Sequence, residues 1–217
     1  MKWAKTRTLT IRSQDYDAML SRVLDLIDDA RRASARTVNA IMTATYWLIG
    51  QHIVEFEQQG KSRAEYGEEL LKRLATDLTT RCGRGFQVDN LQRMRLFYAA
   101  YPSEEIHATL SRKLPAASIN DIAARFPLPW SAYVRLLSVT NEQARKFYET
   151  EALRGGWSVR QLDRQINSLF YERTALSRNK AKMLTKGAAA KREDATTPEE
   201  EIKDPYVLEF LGLRDEY

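Results

Sequence analysis

One stretch of the 217-residue chain carries side chains suited to contacting nucleic acid. Arginine can donate two hydrogen bonds to guanine and glutamine can pair with adenine, and the first residues of a recognition helix are those that reach base edges. From Ser158 to about Arg173 the apolar residues recur at helical spacing, which leaves polar residues on the other faces. We therefore predict that this helix enters a DNA groove. The predicted groove contacts are Arg160, Gln161, Arg164 and Gln165.

The start of this helix is specified by its own sequence. Ser158 and Gln161 have the spacing of a capping box, in which the serine hydroxyl accepts from the Gln161 amide and the glutamine side chain returns to the Ser158 amide. Trp157 and Leu162 have the spacing of a hydrophobic staple. A helix is also predicted over residues 142–154. Together with the helix that starts at Ser158, it has the outline of a helix-turn-helix unit.

Basic residues are concentrated in the same part of the chain. The net charge of the whole chain is +5, but residues 151–193 contain ten bases and four acids, a net charge of +6. This concentration favours contact with a polyanion, although a solvated helix face followed by a disordered basic end would give the same pattern. We predict that four cations contact phosphates: Arg173, Arg178, Lys180 and Lys182.

The last 24 residues have the opposite charge. From Asp194 onward there are eight acids and two bases, a net charge of −6, which leaves +11 for residues 1–193. We interpret this acidic tail as the start of a further domain. One hypothesis is that the tail shields the basic face until that domain or DNA displaces it.

A second pair of predicted helices, residues 66–80 and 88–100, has a similar outline. The turn between them contains glycine and Arg84, and the second helix is predicted to display Asn90 and Arg93 away from its apolar face. Pairs of antiparallel helices are common in helical proteins, so this outline alone is a weak signal for DNA contact. We predict Arg84, Asn90 and Arg93 as a secondary set of contacts.

The N-terminal part of the chain predicts an unusually long helical segment. Apolar residues recur at spacings of three and four, and neither Gly nor Pro interrupts residues 15–49, which indicates one very long helix or two with a break near residues 31–34. Gly50 marks either a bend or a close packing contact. The apolar stripe could also be the seam of a homo-oligomer. A competing hypothesis is therefore a scaffold that oligomerises through this helix and recruits a partner protein by its acidic tail, and RNA binding is a third.

These patterns predict an all-α protein, a multi-helix domain with a long N-terminal helical segment and two helix-turn-helix-like units. Hydrophobic residues make up 43% of the chain, enough for a folded core. The single cysteine, Cys82, excludes an internal disulfide. No run of eighteen apolar residues is present, so we expect no membrane span and a cytoplasmic location. The predicted parts are an N-terminal extension (1–12), the long helical segment with the first unit (13–102), a linker (103–126), the second unit (127–175), a basic arm and linker (176–198) and the acidic tail (199–217).

Several short strings occur in an order that is typical of one family. They are 46–50 (YWLIG), 53–54 (IV), 65–67 (EYG), 85–86 (GF), 90–91 (NL), 94–95 (MR), 97–98 (FY), 128–133 (LPWSAY), 145–148 (RKFY), 156–162 (GWSVRQL) and 203–211 (KDPYVLEFL). On these strings, residues 16–174 resemble the N-terminal domain of the YhcG family of bacterial proteins, whose longer members add a C-terminal PD-(D/E)XK nuclease domain.

The resemblance implies a helical, DNA-binding module attached to a nuclease, with a role in mobile elements or defence against foreign DNA. Where the family usually has Ser after Gly-Phe, this chain has Gln87, a weak N-cap. Glu201, Ile202 and Lys203 match the three-residue string of such a nuclease, but a string this short arises by chance and only fourteen residues follow it. We therefore predict that the nuclease domain is absent here, and that this chain has no catalytic residue, no metal site and no cofactor.

Overall fold

The computed structural model describes residues 13–59, 64–102, 118–189, 194, 200 and 204–211. These residues form ten α-helices and no β-strand, which confirms the all-α prediction. The helices are α1 (Ser13–Gln59), α2 (Ala64–Cys82), α3 (Val88–Ala100), α4 (Ile119–Ala123), α5 (Trp130–Leu137), α6 (Glu142–Gly155), α7 (Val159–Asn167), α8 (Phe170–Leu176), α9 (Lys180–Ala188) and α10 (Pro205–Phe210).

Helix α1 is continuous over its 47 residues, which resolves the choice between one helix and two. At 1.5 Å per residue it extends over roughly 70 Å. Its C-terminal half runs through the core, where Met42, Tyr46 and Trp47 are fully buried. Its N-terminal third is exposed, since every side chain described from Asp15 to Arg31 faces solvent.

Gly50 marks a close contact between α1 and α3. A Cβ added at Gly50 would lie 2.1 Å from the carbonyl oxygen of Met94, a distance that no side-chain atom can occupy. The missing Cβ therefore lets the two helix backbones touch. Nearby, the indole Nε1 of Trp47 donates to the carbonyl of Tyr101 at 2.8 Å, which also fixes the end of α3 against α1.

A cluster of aromatic rings joins α3 to the helices that follow. The ring of Phe97 lies 4.9 Å from Phe126, 5.3 Å from Trp130 and 5.0 Å from Tyr133, in tilted or edge-on arrangements. Ser118 caps the N-terminus of α4 in a capping box with Asp121. Most of the predicted linker, residues 103–117, lies outside the described residues, whereas residues 118–126 contribute to this core.

The last described helix, α10, packs against the first half of the structure. Asp204 caps it by accepting from the amide of Tyr206 at 2.9 Å, and Ser131 donates to the same carboxylate at 3.1 Å. Burial raises the pKa of Asp204. Val207 is buried, and the ring of Phe210 lies 5.9 Å from Tyr46 of α1. In the described part of the chain, none of the helices is both long and apolar enough to cross a membrane.

Candidate nucleic-acid interface

Helix α7 begins as its sequence predicted. Helix α6 ends at Gly155, and its C-cap, Gly156, has a φ of 58° in the left-handed region that glycine favours. The hydroxyl of Ser158 then accepts from the amide of Gln161 at 3.2 Å, and the buried Trp157 packs edge-on to Phe170 at 6.0 Å. The predicted extent of the helix is wrong, because it ends at Asn167 and α8 begins after a turn.

The side chains of Gln161 and Gln165 point into the protein, which corrects the prediction that they face a groove. They are 2% and 7% exposed, and each donates from Nε2 to the carbonyl oxygen of Gly187 at 3.1 Å. The side chain of Gln161 therefore does not close the predicted capping box. Gly187 lies against the buried ring of Phe170, since an added Cβ would be 2.2 Å from its Cζ. The two amides thus hold the end of α9 against α7.

Arg164 is paired with an acid that follows it by thirty residues. Its two terminal nitrogens lie 2.9 and 2.7 Å from the two carboxylate oxygens of Asp194. The side chain of Arg164 is 27% exposed and that of Asp194 only 4%. This two-point contact is the strong form of an arginine–carboxylate pair. Arg164 therefore does not present its guanidinium freely to a ligand in this structure.

Arg160 is the most accessible of the four predicted groove contacts. Its side chain is 63% exposed, and its Nη2 lies 3.6 Å from Oε1 of Glu200. An exposed pair at this distance contributes little to stability, so it can exchange readily for another anion. Beside it, a groove of about 580 Å³ is lined by Ser158 and Glu200 and by two arginines of α1, Arg32 and Arg36. Arg32 and Arg36 were not predicted as contacts, because they are distant from α7 along the chain.

Two of the three secondary predicted contacts, Asn90 and Arg93, are buried or half-buried. Asn90 is 4% exposed, donates to the carbonyl of Gly85 at 2.6 Å and accepts from the indole of Trp130 at 3.3 Å, so its predicted display is wrong. Arg93 is half-buried and lies 3.4 Å from the hydroxyl of Tyr206 in α10. Arg84 is exposed in the turn between α2 and α3. Helix α3 begins at Val88, and the side chain of its N-cap, Gln87, makes no capping hydrogen bond, in agreement with the prediction of a weak cap.

The four predicted phosphate contacts are exposed and occupy α8, α9 and the turn between them. Arg173 donates to the hydroxyl of Ser168 at 2.9 Å, and its guanidinium lies 5.7 Å from the ring centre of Phe170. The side chain of Asn179 caps α9 by accepting from the amide of Lys182 at 3.0 Å. The N-terminus of a helix attracts anions, and here it is surrounded by cations. The exposed cations are Arg173, Arg178, Lys180 and Lys182.

The predicted contacts therefore divide into exposed cations and covered side chains. Two of the predicted groove contacts lie near acids from the C-terminal part of the chain: Arg164, which Asp194 covers, and the exposed Arg160, which lies near Glu200. The sequence contains a signal for these contacts: the net charge changes from positive to negative just after the basic stretch of residues 151–193. Among the residues that the structure describes, no group of three or more His, Cys, Asp and Glu side chains could hold a metal ion.

The described residues form an all-α core with exposed cations on α8 and α9, and comparison with known proteins places the chain in a family. The family described as the DUF1016 N-terminal domain matches residues 22–173, and the chain belongs to this family. The chain is also 51% identical to a protein of Escherichia coli named "Putative nuclease YhcG". That match covers 93% of this chain but only 57% of the relative's length. These findings confirm the family resemblance seen in the sequence motifs. No solved structure matches the chain.

Proposed function

We propose that this chain is a module that binds double-stranded DNA and serves a nuclease, supplied by a further domain or by a partner subunit. The observation that carries the proposal is the exposed cation set on α8 and α9, the two helices that follow α7. The name of the E. coli relative, a nuclease, supports DNA as the polyanion. A role in mobile elements or defence against foreign DNA is part of the same proposal.

The roles of the residues follow from their exposure. Arg173, Arg178, Lys180 and Lys182 contact phosphates, which fixes the position of the protein on the duplex without reading its sequence. Arg160 is the candidate for contact with a base edge, because it lies in the first turn of α7 and is exposed. Buried amides such as Gln161 and Gln165 are positioning groups that hold α9 beside α7.

The acidic residues of the tail compete with DNA for two arginines. Asp194 and Glu200 lie where phosphates would lie if Arg164 and Arg160 contacted DNA. We infer that binding occurs in two stages, with the exposed cations of α8 and α9 first and the arginines of α7 after the acids are displaced. An approaching phosphate is negatively charged and repels the two carboxylates, which favours their displacement.

A scaffold function is the second candidate, and one observation favours it. Seven large apolar side chains in the N-terminal third of α1 are exposed, as expected of a surface that binds another protein. The scaffold alternative does not require any contact with nucleic acid. The two functions are therefore separated by measuring DNA binding directly.

The test compares two variants that each lose two positive charges from an exposed helix surface. In one, Lys180→Ala and Lys182→Ala remove cations from α9; in the matched control, Lys72→Ala and Arg73→Ala remove cations from α2. Affinity for a labelled duplex is measured by fluorescence anisotropy at low salt. We expect the α9 variant to bind roughly tenfold more weakly and the control to bind like the unmodified chain. Equal losses in both variants, or no binding by the unmodified chain, would contradict the proposal.

A further inference from the structure

The groove beside Arg160 is lined by residues from the middle of α1 and from the start of α7. Its volume of about 580 Å³ lies within the range of about 300–1,000 Å³ that is usual for small-ligand sites. A groove of this size admits a single nucleotide but not a base-paired duplex. The four cations proposed to contact phosphates on α8 and α9 do not line it. The groove is therefore a separate candidate site.

Two arginines of α1 supply positive charge to this groove. Arg32 and Arg36 are about one helical turn apart, so they lie on the same side of the helix, roughly 6 Å apart along its axis. Among the residues that the structure describes, neither guanidinium has an ion-pair or hydrogen-bond partner. A guanidinium can bind a phosphate through two hydrogen bonds. The pair is thus available to an anionic ligand.

The two acids that line the groove are both engaged by other groups. Glu200 lies 3.6 Å from the guanidinium of Arg160. The carboxylate of Asp204 accepts from the hydroxyl of Ser131 at 3.1 Å and from the amide of Tyr206 at 2.9 Å, which caps α10. Neither acid therefore neutralises the two arginines of α1.

Two buried polar groups in the lining have no partner. Asn39 and Trp157 are 8% and 7% exposed, and both line the groove. Asn39 donates from Nδ2 to the carbonyl of Ala35 at 3.1 Å, but its Oδ1 accepts no hydrogen bond from the described residues, and Nε1 of Trp157 donates none to them. Buried polar groups without a partner are rare in folded proteins. An acceptor and a donor left over in one lining indicate a polar ligand.

Much of the remaining lining is apolar. Leu128, Pro129 and Leu153 contribute to it, and Leu153 is 43% exposed. At the same groove, Ser158 and Val159 begin α7, whose first amides have no partner inside the helix and favour an anion. Sites for single-stranded nucleic acid likewise combine positive charge for the backbone with a packing surface for the bases.

We propose that this groove binds an unpaired nucleotide, with its phosphate at Arg32 and Arg36 and its base against the apolar lining. The nucleotide belongs to a single strand or is free, since both sources present the same chemistry. This site goes beyond the proposed duplex contacts on α8 and α9 and does not depend on them.

The first test measures binding of a short fluorescent oligothymidylate to the full chain by anisotropy. The test variant is Arg32→Ala with Arg36→Ala; the matched control is Lys72→Ala with Arg73→Ala, which removes the same charge from α2. We expect the test variant to bind roughly tenfold more weakly and the control to bind like the unmodified chain. The test variant should keep its affinity for duplex DNA. Thermal melts check that all three proteins are folded.

The second test locates the ligand and distinguishes its two sources. An oligothymidylate that contains 4-thiothymidine should form photo-crosslinks within residues 127–131 or 152–159, which mass spectrometry identifies. Unlabelled thymidine monophosphate is then added as a competitor. Displacement of the oligothymidylate shows that a free nucleotide is sufficient, whereas retention of the crosslinks shows that the site requires a strand.

Three results would overturn the proposal: no binding of oligothymidylate by the unmodified chain, equal affinity of the test variant and the control, or crosslinks found only outside the groove. A failure to bind duplex DNA while oligothymidylate still binds would affect only the proposed function. The two proposals are thus refuted by different measurements.

Discussion

The contact between Asp194 and Arg164 leads to a prediction in which stability and DNA affinity change in opposite directions. Asp194→Asn keeps the shape of the side chain but removes its charge from a site that is 4% exposed. A charge-assisted hydrogen bond contributes about 1.5–3 kcal/mol and a neutral one about 1 kcal/mol, so the expected loss of stability is about 0.5–2 kcal/mol. For a chain of this size, the melting temperature should fall by roughly 1–8 °C.

The same substitution should strengthen DNA binding. It removes one negative charge and releases Arg164, which adds about one phosphate contact and raises the affinity at low salt several-fold. Thermal melts and anisotropy titrations with one duplex measure both effects. The matched control is Asp77→Asn, which removes an exposed charge from α2. If the affinity does not rise, or if it rises equally when Arg164 is also Ala, the tail does not mask a DNA contact of Arg164.

Three further predictions concern the core and its ionisable groups. Gly50→Ala should destabilise the protein by about 1–3 kcal/mol or more in urea unfolding, since the added Cβ meets the backbone carbonyl of Met94. Gly67→Ala should cost far less, because its added Cβ meets side-chain atoms of Glu57 and Arg95 at 3.2 Å or more. Gln165→Ala should lower the free energy of unfolding by about 1 kcal/mol, because the Gln165 side chain donates a hydrogen bond to the carbonyl of Gly187. It should leave the DNA affinity of the folded protein unchanged, because this side chain does not face DNA. Burial raises the pKa of Glu149, so its folded form holds a proton more tightly than its unfolded form. The free energy of unfolding should therefore rise as the pH falls from 7 through that raised pKa towards the pKa of Glu149 in the unfolded chain, ~4.3. This rise should be smaller in Glu149→Gln.

The sequence predicted the local features of the fold with most success. The cap at Ser158 depends on a contact with a residue three positions further along the chain, and this cap is present. The close packing at Gly50, one of two alternatives, also agrees with the structure. The break after α7 had no such signal, because the turn residue with positive φ is a leucine, Leu169.

The candidate site was predicted less well, because burial there depends on distant residues. Gln161 and Gln165 lie one turn apart beside the apolar residues of α7, and their inward orientation depends on a carbonyl more than twenty residues later, at Gly187. Likewise, Arg164 is covered by an acid thirty residues away. Helical spacing shows which residues share a face, but it does not show what packs on that face.

The salt dependence of binding to duplex DNA tests the central claim most directly. Each phosphate contact contributes about −0.9 to the slope of log affinity against log salt concentration, so four exposed cations predict a slope of roughly −3 to −4. The four are Arg173, Arg178, Lys180 and Lys182. Titrations between about 50 and 200 mM salt measure this slope. A steep linear decrease supports DNA contact by α8 and α9; absence of binding at the lowest salt, or binding that salt does not weaken, contradicts it.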